Sequence, residues 1–220
     1  MVNKIYDVAI IDYGLNNLFS VELACQNANL SSIITSDHEV IMSSNSAVLP
    51  GVGAFSHAIS NIKEKSLDKT ILSFIDTGKT FIGICLGMQL LMEKSWEFKK
   101  SEGLGVFKGE VLGFEPHSYK QQFFPVPQVG WNKIFKTNTD WSKSVLQQNF
   151  DEDFMYFVHS FYVQPENDNE IISSSKYGEV EYCSSISKEN VIGMQFHPEK
   201  SGSSGLRIYK SLKERIKKNE

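Results

Sequence analysis

Phe81-Ile82-Gly83-Ile84-Cys85-Leu86-Gly87 joins a short apolar, β-branched run to a segment, Leu86 to Lys94, with helical spacing. A short strand that is apolar throughout suits a sheet covered on both faces, and a helix directly after it is what a parallel crossover needs. The same pattern repeats toward the N-terminus. Lys4 to Asp12 predicts a strand ending at a Tyr13-Gly14 turn, and Asn17 to Ala28 a helix with Leu18, Val21, Ala24, Cys25 and Ala28 at helical spacing. Ser32 to Thr35 predicts a second strand, and Ala47 to Leu49 a third, broken by Pro50-Gly51. Helices follow over Ala54 to Glu64 and Ser66 to Asp76, the latter stopped by Gly78. Phe81 to Ile84 is thus the fourth strand of an α/β fold, a mainly parallel central sheet flanked by helices.

The C-terminal half changes character. Gly103 to Phe114, Phe124 to Phe135 and Phe154 to Val163 are aromatic and β-branched, which predicts additional antiparallel strands on the same sheet or a small second one. Asn138 to Asp153 is polar and acidic and reads as a loop or short helix. Glu179 to Ser187 and Val191 to Phe196 flank a turn as a hairpin. A helix over Gly205 to Lys217 closes the chain, with Leu206, Tyr209, Leu212 and Ile216 on one face. No repeat or linker interrupts residues 1–220, so one domain is expected at this length.

With 41% hydrophobic and 22% charged residues, the composition is that of an ordinary globular protein. Lys plus Arg number 22 against 26 Asp plus Glu, a net charge of −4, so charge alone draws the chain to neither nucleic acid nor an anionic membrane. No apolar stretch approaches the roughly 20 residues that span a bilayer, and the first residues lack the apolar core of a signal peptide, so a cytoplasmic location is expected. Cys25, Cys85 and Cys183 are odd in number and far apart, which suits reduced thiols. Without C-x-x-C or H-E-x-x-H there is little support for a metal, and nothing implies a cofactor.

Gly83-x-Cys85-x-Gly87 is the thiol counterpart of the nucleophile elbow. Glycines on both sides allow a sharp strand-to-helix turn that presents the central side chain, and the helix start favours a thiolate. A plain buried core cysteine is the alternative. A thiol nucleophile needs a base held by a third group. Of His38, His57, His117, His159 and His197, the last follows a strand-like run and precedes Pro198 and Glu199, where a rigid backbone sets a carboxylate two residues from the imidazole. Pro50-Gly51-Val52-Gly53-Ala54-Phe55 lacks a phosphate-binding glycine pattern; it reads as a tight turn or as a stretch whose amides point into a cleft for an oxyanion.

Gly83 to Leu91 together with Gln195-Phe196-His197-Pro198-Glu199-Lys200-Ser201 resembles the triad-type, class I glutamine amidotransferases. Asp12 to Leu18, Pro50 to Phe55, Val129 to Asn132 and Tyr156 to Tyr162 further resemble the glutaminase subunits of imidazole glycerol phosphate synthases. The resemblance implies a flavodoxin-like sheet, Cys85 as nucleophile, His197 as general base then acid, and Glu199 orienting His197. It implies that Gln89 and the backbones of Gly51, Gly53, His159, Ser160 and Phe161 hold L-glutamine, with the Val52 and Leu86 amides as oxyanion hole. It also implies a heterodimer in which ammonia passes to a (β/α)8-barrel cyclase of histidine biosynthesis, against a surface that includes Trp131, Asn132 and Lys200. Gln128, in the same partner-facing region, stands where the family usually has histidine. That leaves open a relative that feeds a sugar amidotransferase of surface-polysaccharide synthesis. Two further alternatives are a stand-alone γ-glutamyl thiol hydrolase and a non-catalytic binding subunit.

Overall fold

The computed structural model describes residues 5–14 and 18–219. Lys4 and Asn17, the starts expected for the first strand and helix, lie outside the described residues. The first half runs β1 (Val8–Ile11), α1 (Leu18–Asn27), β2 (Ser32–Thr35), α2 (His38–Ser43), β3 (Ser46–Gly51), α3 (Phe55–Glu64), α4 (Leu67–Asp76), β4 (Thr80–Cys85) and α5 (Leu86–Leu90). The second half begins with β5 (Met92–Ser95), β6 (Ser101–Glu102), β7 (Phe107–Gly113), β8 (His117–Tyr119), β9 (Gln122–Phe124), β10 (Gln128–Lys133) and β11 (Phe135–Lys136). It continues through β12 (Phe154–His159), β13 (Phe161–Pro165), β14 (Ile171–Tyr177), β15 (Val180–Lys188) and β16 (Val191–Met194) to α6 (Gly202–Asn219).

Strands β2-β1-β3-β4-β16 lie side by side and parallel, the 2-1-3-4-5 order of a flavodoxin-like fold. Every residue of β1, β3, β4 and β16 is buried, because helices cover both faces. Alternation divides them between two cores. Val8, Ile10, Val48, Ile82 and Ile84 pack with α1 and with Ile208, Leu212 and Ile216 of α6. Ala9, Ile11, Ala47, Leu49 and Phe81 pack against Phe55, Ile59 and Ile62 of α3 and Leu67, Ile71 and Phe74 of α4. Beyond β16 the sheet turns antiparallel through β15 and β13 to β7, with β5 and β6 at its edge and β14 branching from β15. The strands β10 and β12 form a separate antiparallel pair, as do β8 and β9.

Several expectations are corrected. The helix expected over Leu86 to Lys94 ends at Leu90. The Leu90 and Leu91 carbonyls accept from the amides of Leu104, Val106 and Phe107 on the returning chain, and Met92–Ser95 becomes a strand beside β7. The run Phe154 to Val163 divides at Ser160, so that β12 joins β10 while β13 joins the main sheet. The short α2 and the serine-rich β14 were not expected.

Candidate active site

The site lies where β3, β4 and β16 end on one edge of the sheet, beside the point where the strand order reverses, which is where open α/β sheets bind ligands. Cys85 ends β4 and α5 starts at the next residue. Its backbone has φ 54 and ψ −111, a sparsely populated conformation for a residue with a side chain. Close packing holds it there. A Cβ on Gly83 would fall 2.8 Å from the Gly87 carbonyl, and a Cβ on Gly87 would run into the Leu49 carbonyl oxygen, so α5 rests directly on the backbone of β3 and β4. Gly51 lies opposite Cys85 in the β3–β4 register, with the Tyr13 hydroxyl where its Cβ would be.

Parallel pairing sets Met194 beside Ile84, so the chain leaving β16 arrives at the same edge three residues later as His197. The His197 amide donates to the Tyr156 carbonyl at 2.9 Å, and Pro198 opens a single 3-10 turn that brings Glu199 back. His197 Nδ1 lies 2.8 Å from Glu199 Oε1, with side chains 1% and 0% exposed. With Nδ1 engaged, the buried Nε2, which has no hydrogen-bond partner, is the ring atom left for Cys85. Burial disfavours the imidazolium, but the negative charge of ionised Cys85 and then the Glu199 carboxylate outweigh it and raise the His197 pKa to about 10. A proton leaving Cys85 therefore has a ready resting place.

A cavity of about 290 Å³ opens beside Cys85, and Val52, Gly53, Leu86, Gln89, His159, Ser160 and Phe161 all line it. Of the residues expected to hold substrate, Gly51 alone is set back, behind the cavity wall. His159 donates from Nδ1 to the Phe161 carbonyl, and burial lowers its pKa to about 4, so it stays neutral at pH 7. Gln89 Nε2 donates to the Phe161 carbonyl and to Gln195 Oε1. A larger cavity, about 500 Å³ and lined by Thr137, Gln164, Asp168 and Glu181 among others, contains none of the expected residues. The position of the thiol decides for the smaller one.

Glu97, Pro127 and Val158 also line the site and were not expected from sequence. Glu97 is nearly buried, its Oε2 accepts from the Phe55 amide at 2.5 Å, and burial raises its pKa although that amide works against the rise. In sequence it sits in Glu93-Lys94-Ser95-Trp96-Glu97-Phe98-Lys99-Lys100, which reads as a solvated stretch.

Of the residues expected to face a partner, Trp131 is 56% exposed on β10 opposite Tyr156 of β12, and Lys200 is exposed beside the His197-Pro198-Glu199 turn. Asn132 donates to the Lys176 carbonyl. Gln128 is buried: it accepts from the Tyr182 hydroxyl at 3.0 Å and lies opposite His159 in the strand register. Its side chain therefore bears on the pocket wall and not on the exposed face. Among the described residues no group of three or more His, Cys, Asp or Glu is placed to hold a metal ion, and no helix is long and apolar enough to cross a membrane.

Residues 6–211 match the family model described as glutamine amidotransferase class-I. The chain is 44% identical to imidazole glycerol phosphate synthase subunit HisH of Caldanaerobacter subterraneus subsp. tengcongensis, covering 96% of this chain and 98% of that one. It is 41% identical to the HisH subunit of Aquifex aeolicus, covering 95% and 97%. Among solved structures, a glutamine amidotransferase superposes with a TM-score of 0.70 at 13% identity over 96% of this chain and 99% of that one. PurLQS of Thermotoga maritima superposes with a TM-score of 0.69 at 20% identity over 95% and 98%. At such identities these two structures speak for the fold alone.

Proposed function

The chain belongs to the class I glutamine amidotransferases, and from that premise we propose that it is the glutaminase subunit of an imidazole glycerol phosphate synthase. On this reading residues 1–220 form one amidotransferase domain that works in the cytoplasm as a heterodimer with a (β/α)8-barrel cyclase. The carrying observation is the meeting of Cys85, His197 and Glu199 at one sheet edge beside a cavity lined by Gln89. Relatives of near-equal length named HisH support the choice of pathway.

In the proposed reaction His197 Nε2 takes the Cys85 proton and the thiolate attacks the side-chain amide carbon of L-glutamine. The developing oxyanion is held by the Val52 and Leu86 amides. His197 returns the proton to the leaving nitrogen, ammonia departs, and a glutamyl thioester remains. Water, deprotonated by His197, then cleaves the thioester to glutamate and regenerates the thiol. Glu199 fixes the tautomer and stabilises the imidazolium throughout. Glu97 offers a carboxylate to the α-ammonium of the substrate from the pocket wall.

Trp131 lies across from Tyr156, whose carbonyl holds the His197 amide, so the exposed strand pair is one hydrogen bond from the base. That link supports activation by a docked partner. The test is glutamate release by the purified chain, then with the barrel cyclase, then with cyclase and its acceptor ligand. Rising rates are expected. Equal rates in all three would favour a stand-alone thiol hydrolase, and activation only by a sugar amidotransferase would replace the pathway.

A further inference from the structure

Gln195 lies in the link between β16 and His197, is fully buried, and touches both the nucleophile and the substrate cavity's glutamine side chain. The orientation of its amide follows by elimination. The Phe161 carbonyl can only accept, so the Gln89 atom 2.9 Å from it is Nε2. That nitrogen also lies 3.1 Å from Gln195, which therefore turns Oε1 toward it. Gln195 Nε2 is left to donate to Cys85 Sγ, at 3.6 Å.

The sulfur also lies 3.8 Å from the Val158 carbonyl. A protonated thiol can donate to that oxygen. An ionised sulfur is repelled by it and held by the Gln195 amide instead. The titratable groups facing Cys85 include His197, with Glu199 behind it, Tyr13 just beyond β1, and Glu97 and His159 across the shared cavity; α5 contributes none. We infer that Gln195 is a positioning residue for the nucleophile: its amide holds the ionised Cys85 sulfur in line with the cavity and ties it to Gln89, which borders the substrate. The inference rests on Cys85 being the nucleophile.

The test is alkylation of Cys85 by iodoacetamide in the full chain, read by intact mass across pH 5 to 9, with Cys85→Ala as the blank for Cys25 and Cys183. A hydrogen bond to a charged group is worth about one pH unit or more. Gln195→Met, similar in size but without a donor, should slow alkylation near neutrality about tenfold and move its pH midpoint up by about one unit. Gln195→Glu keeps the shape and adds a charge that repels the sulfur, so its midpoint should rise further; it carries the test if the methionine variant fails to fold. In glutaminase assays both variants should lower kcat more than they raise KM. A folded variant of either kind with the unsubstituted pH profile would overturn the inference. If Cys85 of the unsubstituted chain reacts no faster than Cys25 and Cys183, the nucleophile assignment itself fails, and the inference with it.

Discussion

Gly87→Ala is the smallest change that should separate the fold of this chain from its chemistry. The added Cβ would stand 2.8 Å from the Leu49 carbonyl carbon and closer still to its oxygen, whereas carbon contacts settle at about 3.5 Å. Leu49 is fully buried in the middle of β3 and cannot retreat. The nearer oxygen contact controls the movement, so α5 must shift outward by more than about 1 Å, taking Leu86 and the Cys85 elbow with it. Overpacking of this kind costs about 1–3 kcal/mol of stability. A displacement of about 1 Å at a reacting group costs about a hundredfold in rate. The expected result is a folded chain with a thermal midpoint lowered by several degrees and glutamate release in the partner complex reduced about a hundredfold. Synthesis from added ammonium salts should be intact. Wild-type glutamate release by Gly87→Ala would refute the argument, since it would mean that the elbow tolerates displacement or that α5 does not rest on β3 as described.

Cys85→Ala should abolish glutamine-dependent synthesis, by up to about a millionfold, while ammonia-dependent synthesis in the complex persists; loss of both would make Cys85 structural. Glu199→Gln should lower the glutaminase rate by less than that and leave a thioester trappable, because His197 loses its orienting partner but keeps its ring; inactivity equal to that of Cys85→Ala would call for a direct role. His159 takes up a proton in the folded chain at about 4 against 6.5 when solvated, so the unfolded chain binds more protons between those values. Its contribution to stability is thus complete above pH 6.5 and is lost as pH falls toward 4. Thermal midpoints across that window should fall less steeply in His159→Gln, and identical slopes would contradict the assignment.

The parallel half of the fold was legible because its strands are apolar on both faces and its punctuation is glycine and proline. The second, third and fourth strands lie within two residues of where they were expected, while the first, expected from Lys4, starts only at Val8; the sequence also pointed to Cys85 and the His197-Pro198-Glu199 turn, which the fold brings to one sheet edge. The antiparallel half hid behind its composition. β14 reads Ile-Ile-Ser-Ser-Ser-Lys-Tyr, a polar run, yet Ser173 is fully buried and bonds the hydroxyls of Ser184 and Ser185, so polar side chains pair with one another inside the sheet. The end of α5 was misplaced because Leu91 and Met92 prolong an apolar pattern that only the distant amides of Leu104 to Phe107 interrupt. Glu97 escaped notice, and Gln195, though quoted within the motif, was given no role, for a related reason. Nothing near a carboxylate in a charged run, or an amide between Met194 and Phe196, reports that the folded chain closes over it.

The pairing of β4 with β16 also orders events in time. Ile84 meets Met194 half the chain length later, so Cys85 and His197 belong to segments that emerge from the ribosome far apart. β1, β2, β3 and β4 can assemble through local crossovers as they appear, whereas β16 must wait for the whole antiparallel excursion between them. Contacts of such sequence separation form late, after the cost of closing the long loop has been met. A nascent or truncated chain would thus carry Cys85 in a nearly finished half-sheet with no imidazole beside it. On the proposed reading, glutamine hydrolysis would switch on only as the last parallel strand docks, so that catalytic competence would report on completed folding.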